Sequence, residues 1–248
     1  MIAPPHHRRG YPRSAVATRR ILITAGPTHE PIDAVRFIGN RSSGRMGIAL
    51  AEAAVAKGWH VTLLLGPVPF CPSPIDGMDV HRFRTCADLQ SLLHTHAPRA
   101  GVLVMAAAVA DYRPKPNPAF VNGKFRRTDG PVTLELESTP DLLAEASRSR
   151  RSDQLFVGFA LEPRAELLAS AESKLTRKKI DLVVANPLET MDSDSVEAMI
   201  IGADGSRTDT PGLMSKREFA PWLIDLLADR SQTTAAPKPV FAASAAAA

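Results

Sequence analysis

Two hydrophobic periods alternate along most of this chain, one of short apolar runs and one of apolar residues three to four positions apart. The run at 20–25, with Ile21-Leu22-Ile23, is apolar on both faces of an extended segment, which predicts a strand covered on both sides. Residues 44–57 carry Met46, Leu50, Ala53 and Ala54 at helical spacing, with Ser42 or Ser43 placed as N-cap and Gly58 as the stop. Strands are predicted next at 60–65 and 80–83. Thr85-Cys86-Ala87-Asp88 reads as a capping box opening a helix that runs toward Pro98, and the apolar run at 101–107 predicts another buried strand.

After that run the alternation breaks. Residues 111–130 are polar, basic and proline-rich, and Val132, Leu134 and Leu136 then alternate with Thr133, Glu135 and Glu137 as in a half-buried strand. This stretch reads as a flap returning along a hairpin. Thr139, with Pro140 at the first helical position, is expected to cap the following helix. A strand at 155–160, a helix at 163–178 and a strand at 180–185 restore the alternation. Residues 196–202 with the Asp204-Gly205 turn predict a terminal hairpin, and Ser215 to Glu218 form a second capping box. The fold class is therefore α/β: a doubly wound, mainly parallel, Rossmann-like sheet with a β-hairpin flap. The domain is placed at 19–230, between a basic leader (1–18) and a Pro/Ala-rich tail (231–248) that both read as disordered.

Composition narrows the function. Cys71 and Cys86 are the only cysteines and show no metal-ligand spacing, which argues against structural zinc and against a disulfide-held secreted domain. No apolar run approaches the roughly 18 residues of a membrane span, and no signal-peptide pattern is seen, so a cytoplasmic protein without membrane contact is expected. The net charge of +4 draws on Arg8, Arg9, Arg13, Arg19 and Arg20, and aromatic residues are only 5% of the chain. No nucleic-acid partner is expected; phosphate-bearing small molecules account for the remaining charge.

In doubly wound sheets ligands collect at the loops that follow the strands. Residues 36–47, R-F-I-G-N-R-S-S-G-R-M-G, place a polar loop with glycines between a strand and a helix start, which suits an anion. Gly39 and Gly44 have P-loop spacing, but Arg45-Met46 stands where Lys-Ser/Thr must follow. A nicotinamide-dinucleotide site wants G-x-G-x-x-G tight against the first strand and an acidic residue closing the second, where this chain has Leu65-Gly66.

Five separated motifs stand in order: T-A-G-P-T-H-E-P-I-D (24–33), V-R-F-I-G-N-R-S-S-G-R-M-G (35–47), A-A-V-A-D-Y (107–112), G-F-A-L-E (158–162) and K-L-T-R-K-K-I-D-L-V-V-A-N (174–186). With them the chain resembles the phosphopantothenoylcysteine synthetases (phosphopantothenate–cysteine ligases) over residues 20–230. The resemblance implies a ligase of coenzyme A synthesis that joins 4′-phosphopantothenate to cysteine through an acyl-cytidylate, with Mg²⁺ and with CTP as co-substrate. The alternatives are the ATP-using version of the same ligase and a flavin- or NAD(P)-binding Rossmann-like protein. A homodimer is implied as well. Because no fused decarboxylase precedes residue 20, a stand-alone synthetase is expected, with a separate phosphopantothenoylcysteine decarboxylase as candidate partner.

Residue by residue, the resemblance gives catalytic places to Asn40, Arg36 and Lys124. Asn40 would hold the acyl-nucleotide through its amide, the alternative being a loop residue in an Asx-turn. Arg36 would act on the substrate, the alternative being a surface salt bridge. Lys124 stands in the flap motif Lys124-Phe125-Arg126-Arg127, the alternative being a solvated basic hairpin. Gly26, Thr28, Ser42, Ser43 and Gly44 would shape the nucleotide-phosphate pocket, and Met46 and Asn186 the substrate side. Ala108 would read the base through backbone amides, and Asp111 would bind ribose or Mg²⁺ unless it only caps a loop. Phe159 would border the nucleotide unless it belongs to the core. Lys174 and Lys178, at i and i+4, would clamp the triphosphate unless they form a solvated helix face. Pro27 replaces a glycine expected by the resemblance and removes one N–H donor.

Overall fold

Residues 19–69, 71–116, 123–124, 126–127, 129–191 and 193–235 are described in the computed structural model of the chain. Eight strands make the central sheet: β1 (Arg20–Ala25), β2 (His60–Leu65), β3 (Met78–Arg82), β4 (Val102–Met105), β5 (Leu155–Glu162), β6 (Leu182–Pro187), β7 (Met199–Gly202) and β8 (Arg207–Asp209). Their spatial order is β8-β7-β6-β5-β4-β1-β2-β3. The first six are parallel, and β7 and β8 extend the sheet antiparallel from β6. The chain winds outward from β1 on one side and from β4 on the other, so the topological switch lies between these two strands, the place where such sheets bind ligands.

Helices cover both faces. Ile21, Ile23, Val61 and Leu63 pack on α1 (Arg45–Ala56) and α5 (Lys216–Ala235). The alternate residues Leu22, Leu64 and Leu103 pack on α2 (Cys86–His96), α3 (Leu142–Arg148) and α4 (Leu167–Lys178). This two-sided burial is why the β1 run is continuously apolar. Truncating Leu22 or Ile23, both at 0% exposure, would cost about 2–5 kcal/mol. Among the described residues no helix is long and apolar enough to cross a membrane.

Several boundaries differ from the sequence reading. The caps expected at Ser42 or Ser43 and at Thr139 are supplied by Gly44 and Asp141. Gly44 takes a left-handed φ of 72° and no side chain caps it, while the Ser42 hydroxyl only accepts a weak bond from Gly44 N at 3.4 Å. Thr139 Oγ1 donates instead to Ala110 O, which leaves Asp141 to accept from Ala144 N at 3.1 Å. The helix expected from 163 starts at Leu167, after a turn closed by Glu166 N to Pro163 O. The strand expected at 80–83 is Met78–Arg82 and that at 101–107 only Val102–Met105; β5 runs on to Glu162, and the strand expected at 180–185 is Leu182–Pro187.

The flap does return as a hairpin, Tyr112–Pro114 pairing antiparallel with Leu136–Ser138. Its expected inward face is not inward: Val132 is 52% and Leu136 42% exposed. Much of the flap's remainder, including 117–122, lies outside the described residues. Helix α5 continues to Ala235, into the stretch read as tail; the leader to residue 18 and residues 236–248 also lie outside.

Candidate active site

Three glycines shape the passage from β1 to α1. Gly26 turns the chain at φ 83° directly after β1. A Cβ on Gly44 would lie 3.3 Å from Gly26 N, and one on Gly47 would lie 2.5 Å from Ala25 Cβ and 3.0 Å from Thr24 O. Tight turn, close backbone approach and close helix–strand contact are the tasks of the dinucleotide fingerprint. Here they are divided by residues 27–43, which carry the hairpin His29–Pro31 and Phe37–Gly39. Val68 Cγ1 comes to 3.0 and 3.1 Å from Cβ positions built on Gly26 and Gly44. It therefore covers the glycines where a dinucleotide pyrophosphate would need to approach, and with Leu65-Gly66 closing β2 this disfavours the flavin or NAD(P) alternative.

The loop after β4 is fixed from below. Ala108 N donates to Gly26 O at 2.9 Å and Thr28 N to Ala108 O at 3.1 Å, flanking a parallel bridge between Pro27 and Ala108. These bonds belong to the neighbours of Pro27, so its missing N–H subtracts none from the ladder. Thr24 Oγ1 accepts from Ala107 N and Thr28 Oγ1 from Ala110 N. The Ala108 N–H and C=O are therefore both engaged in holding the loop, while the residue itself borders the cavities. Above this loop, Asn40 Nδ2 donates to Val109 O at 3.0 Å. That bond ties the 37–45 loop to the 106–111 loop across the switch point; the Asx-turn alternative has no such reach.

Two cavities adjoin along this seam. The smaller, about 260 Å³, is lined by Ser42, Ser43, Gly44, Met46 and Asn186, with the cationic Arg41, Lys216 and Arg45, the last paired with Asp194 at 2.7 Å. The larger, about 690 Å³, is lined by Asn40, Asp111, Lys174 and Lys178, with Arg177, Asp141 and Glu162. Arg41, Ala108, Phe159 and Met191 are among the residues that border both.

Charge in the larger cavity is organised by α4. Lys174 Nζ donates to Phe159 O at 2.8 Å, and burial, reinforced by the charge of Lys178, pulls its ammonium below the usual lysine range. Lys178 Nζ pairs with Asp141 Oδ1 at 2.8 Å and its side chain is only 16% exposed. Burial pushes the Asp141 carboxyl up, but bonds from Lys178 and from Ala144 N outweigh it and hold the group below its usual range. The two lysines thus face a cavity, as a clamp requires, rather than solvent.

Other sequence-predicted residues stand apart from the cavities. Gly26 and Thr28 line neither, Thr28 being fully buried beneath the loop it holds. Arg36 also lines neither; its guanidinium pairs with the buried Asp33 at 3.2 Å, the salt-bridge alternative. Lys124 is exposed on the flap, where Gly123 O accepts from Ala34 N at 3.4 Å. Sequence reasoning missed Arg41, Asp141, Arg177, Met191 and Lys216. Arg177 was findable, one helical step from Lys174 on the same cavity face; Lys216 comes from the distant start of α5 and carries no local signal.

Comparison with known proteins places these features. The family model of the DNA/pantothenate metabolism flavoprotein C-terminal domain matches residues 16–230. A protein of an unspecified prokaryote described as cysteine/cysteine sulfinic acid decarboxylase is 45% identical over 171 residues, 69% of this chain and 46% of its own. The coenzyme A biosynthesis bifunctional protein CoaBC of Mycobacterium bovis is 40% identical over 205 residues, 78% of this chain and 48% of its own. The chain thus spans about half the length of the curated relatives it matches. The crystal structure of the C-terminal domain of a CoaBC protein superposes with a TM-score of 0.72 at 32% identity, covering 87% of this chain and 96% of that one. A glycine cradle at the switch point, a lysine pair over the adjoining cavity and these matches lead to one conclusion: the chain belongs to the DNA/pantothenate metabolism flavoprotein C-terminal domain family.

Proposed function

We propose that this chain is a phosphopantothenate–cysteine ligase that activates 4′-phosphopantothenate with CTP. The observation that carries the reading is the pair of cavities meeting at Arg41, Ala108 and Phe159, one with the helix start and one with Asn40 and the lysine pair. The triphosphate occupies the larger cavity over Lys174 and Lys178, and phosphopantothenate the smaller one beside Met46 and Asn186; Ser42, Ser43 and Gly44, expected at the nucleotide phosphates, line that smaller cavity and in this reading serve the phosphopantothenate side. The carboxylate oxygen attacks the α-phosphorus, the bond from that phosphorus to the bridging oxygen breaks, and pyrophosphate leaves. The cysteine amine then attacks the acyl carbon, loses a proton and expels CMP, leaving the amide.

Two anions meet in the first step, so charge neutralisation is the main demand. The lysine pair and Arg177 supply it on one side and Arg41 on the other. Asn40, held by Val109 O, offers an uncharged donor that strengthens as charge develops on the acyl oxygen, without competing as a nucleophile. No cluster of three metal-ligating side chains occurs among the described residues. Mg²⁺ is commonly held by one or two carboxylates together with substrate phosphates; Asp111, on the wall of the larger cavity, is the residue that would hold it, and the ion would supply further neutralisation of the phosphates. Gly26 and Thr28 act by fixing the loops. Arg36 and Lys124 lie outside both cavities and take no step.

Val35, Phe37, Tyr112 and Leu136 are large apolar side chains exposed on the two hairpins beside the site. The two hairpins touch through the strands His29–Pro31 and Tyr112–Pro114, and this exposed apolar surface supports a homodimer through this face. A cytoplasmic location, and a decarboxylase consuming the product, complete the reading. The test is product identification: protein given phosphopantothenate, cysteine, CTP and Mg²⁺ should yield the amide by mass spectrometry, faster than with ATP. Absence of amide with either nucleotide from folded protein sinks the proposal.

A further inference from the structure

Asp141 does more than cap α3. Its Oδ1 accepts from Ala144 N at 3.1 Å and from Lys178 Nζ at 2.8 Å, so one oxygen serves both the helix start and the lysine. Lys178 is tied at its other end as well, its carbonyl accepting from Ser147 Oγ at 2.6 Å. Both ties run to α3 or its cap. The carboxylate cannot swing away from Lys178 without uncapping that helix, and the ammonium has three donors of which this contact uses one. The chain enters α3 through Thr139, whose hydroxyl and amide bond to Ala110 O and Asp111 O, so Asp141 is also fixed to the loop after β4.

We infer that Asp141 is a positioning residue for the nucleotide: it holds Lys178 at the wall of the larger cavity, pre-aimed at an incoming polyphosphate. This rests on the ligase reading for the identity of the nucleotide, and on the ion pair and shared cap for the role. An unheld lysine would lose side-chain freedom on binding, and its charge would be pushed away from Lys174 and Arg177; the pair with Asp141 removes both costs beforehand. The depressed carboxyl titration agrees with an acid that stays charged throughout the working range.

The test separates charge from cap. Asp141→Asn keeps an N-cap acceptor of equal rank and removes the charge, whereas Asp141→Ala removes both. In the whole chain, D141N should stay folded with a Tm above that of D141A, and should raise the CTP Kd, by titration calorimetry, and the CTP KM by about five- to tenfold, the scale of one charge-assisted bond. kcat and the KM for cysteine should change less than twofold. D141A should show the same KM rise with a lowered Tm. In a D141N/K178Q double variant the two effects on CTP affinity should not add, because both remove one contact. Wild-type CTP affinity in D141N, or full additivity in the double variant, overturns the inference. A wild-type protein that forms no amide, with D141N still binding CTP more weakly, overturns the ligase reading and upholds the positioning role.

Discussion

Gly47→Ala sets two effects of opposite sign against each other. In an ordinary helix position, alanine stabilises relative to glycine by about 1 kcal/mol. Here the new methyl would sit 2.5 Å from Ala25 Cβ, 3.0 Å from Thr24 O and 3.1 Å from Ala25 Cα. β1 cannot retreat, since β2 and β4 pair with it on both sides. The helix must therefore move, and overpacking of this kind costs about 1–3 kcal/mol, here at the top of the range because the contacts are backbone and Cβ rather than a flexible side-chain end. The net expectation is a loss of about 2 kcal/mol, or a Tm lower by about 4–8 °C for a domain of this size. Shifting α1 also displaces Gly44 from Gly26, so CTP-dependent turnover should fall with stability.

Urea unfolding followed by circular dichroism measures the first effect, and Ala25→Gly supplies the control. Removing the Ala25 methyl relieves the shortest contact, so the double variant should be more stable than the sum of the single losses by about 1 kcal/mol or more. Gly58→Ala, at φ 78° with nothing within 4 Å, should lose only the left-handed backbone cost of about 1–2 kcal/mol and leave turnover unchanged. A Gly47→Ala protein as stable as wild type, or additivity with Ala25→Gly, would refute the close-contact reasoning.

Two further outcomes follow from the site and the core. Asn40→Asp replaces the donor to Val109 O with a carboxylate and should lower amide synthesis by about 10²–10³-fold, the range for loss of one oxyanion donor, with the fold retained by circular dichroism; near wild-type synthesis returns Asn40 to a loop role. Burial, followed by the charge of Glu30, raises the Cys86 thiol from 9.0 to about 11, so the folded state binds a proton that the unfolded state releases between those values. Stability should fall across that pH window and fall less in Cys86→Ala, which denaturant midpoints at pH 8 and 10.5 would check.

Where a signal was local, it was legible in the sequence. Both capping boxes are present as expected, with Asp88 N on Thr85 Oγ1 and Glu218 N on Ser215 Oγ, because each needs only residues three apart. The β1 run and the Gly58 stop are equally local. Gly44 was not legible as a cap because the close approach of Gly26 and Val68, which leaves little room for a Cβ there, comes from far away in the chain. Thr139 carries the side chain of a cap, yet Ala110 O captures its hydroxyl. The alternation at 132–137 suggested a buried face, but the hairpin stands off the main sheet and leaves Leu136 in solvent. Motif order brought Asn40, Asp111, Lys174 and Lys178 to one cavity, while the commitments of the Ala108 amide and of Lys178 to Asp141 are tertiary facts that no motif encodes.

The central claim is acyl-nucleotide chemistry at the seam of the two cavities, and the nucleotide product reports it most directly. Purified protein should be given phosphopantothenate, Mg²⁺ and α-³²P-labelled CTP, with and without cysteine, and quenched for chromatography. With cysteine, CMP and pyrophosphate should appear in equal amounts with the amide; without it, a single turnover should leave label on phosphopantothenate as the mixed anhydride. Release of CDP and inorganic phosphate, or no nucleotide cleavage by folded protein, would contradict the account.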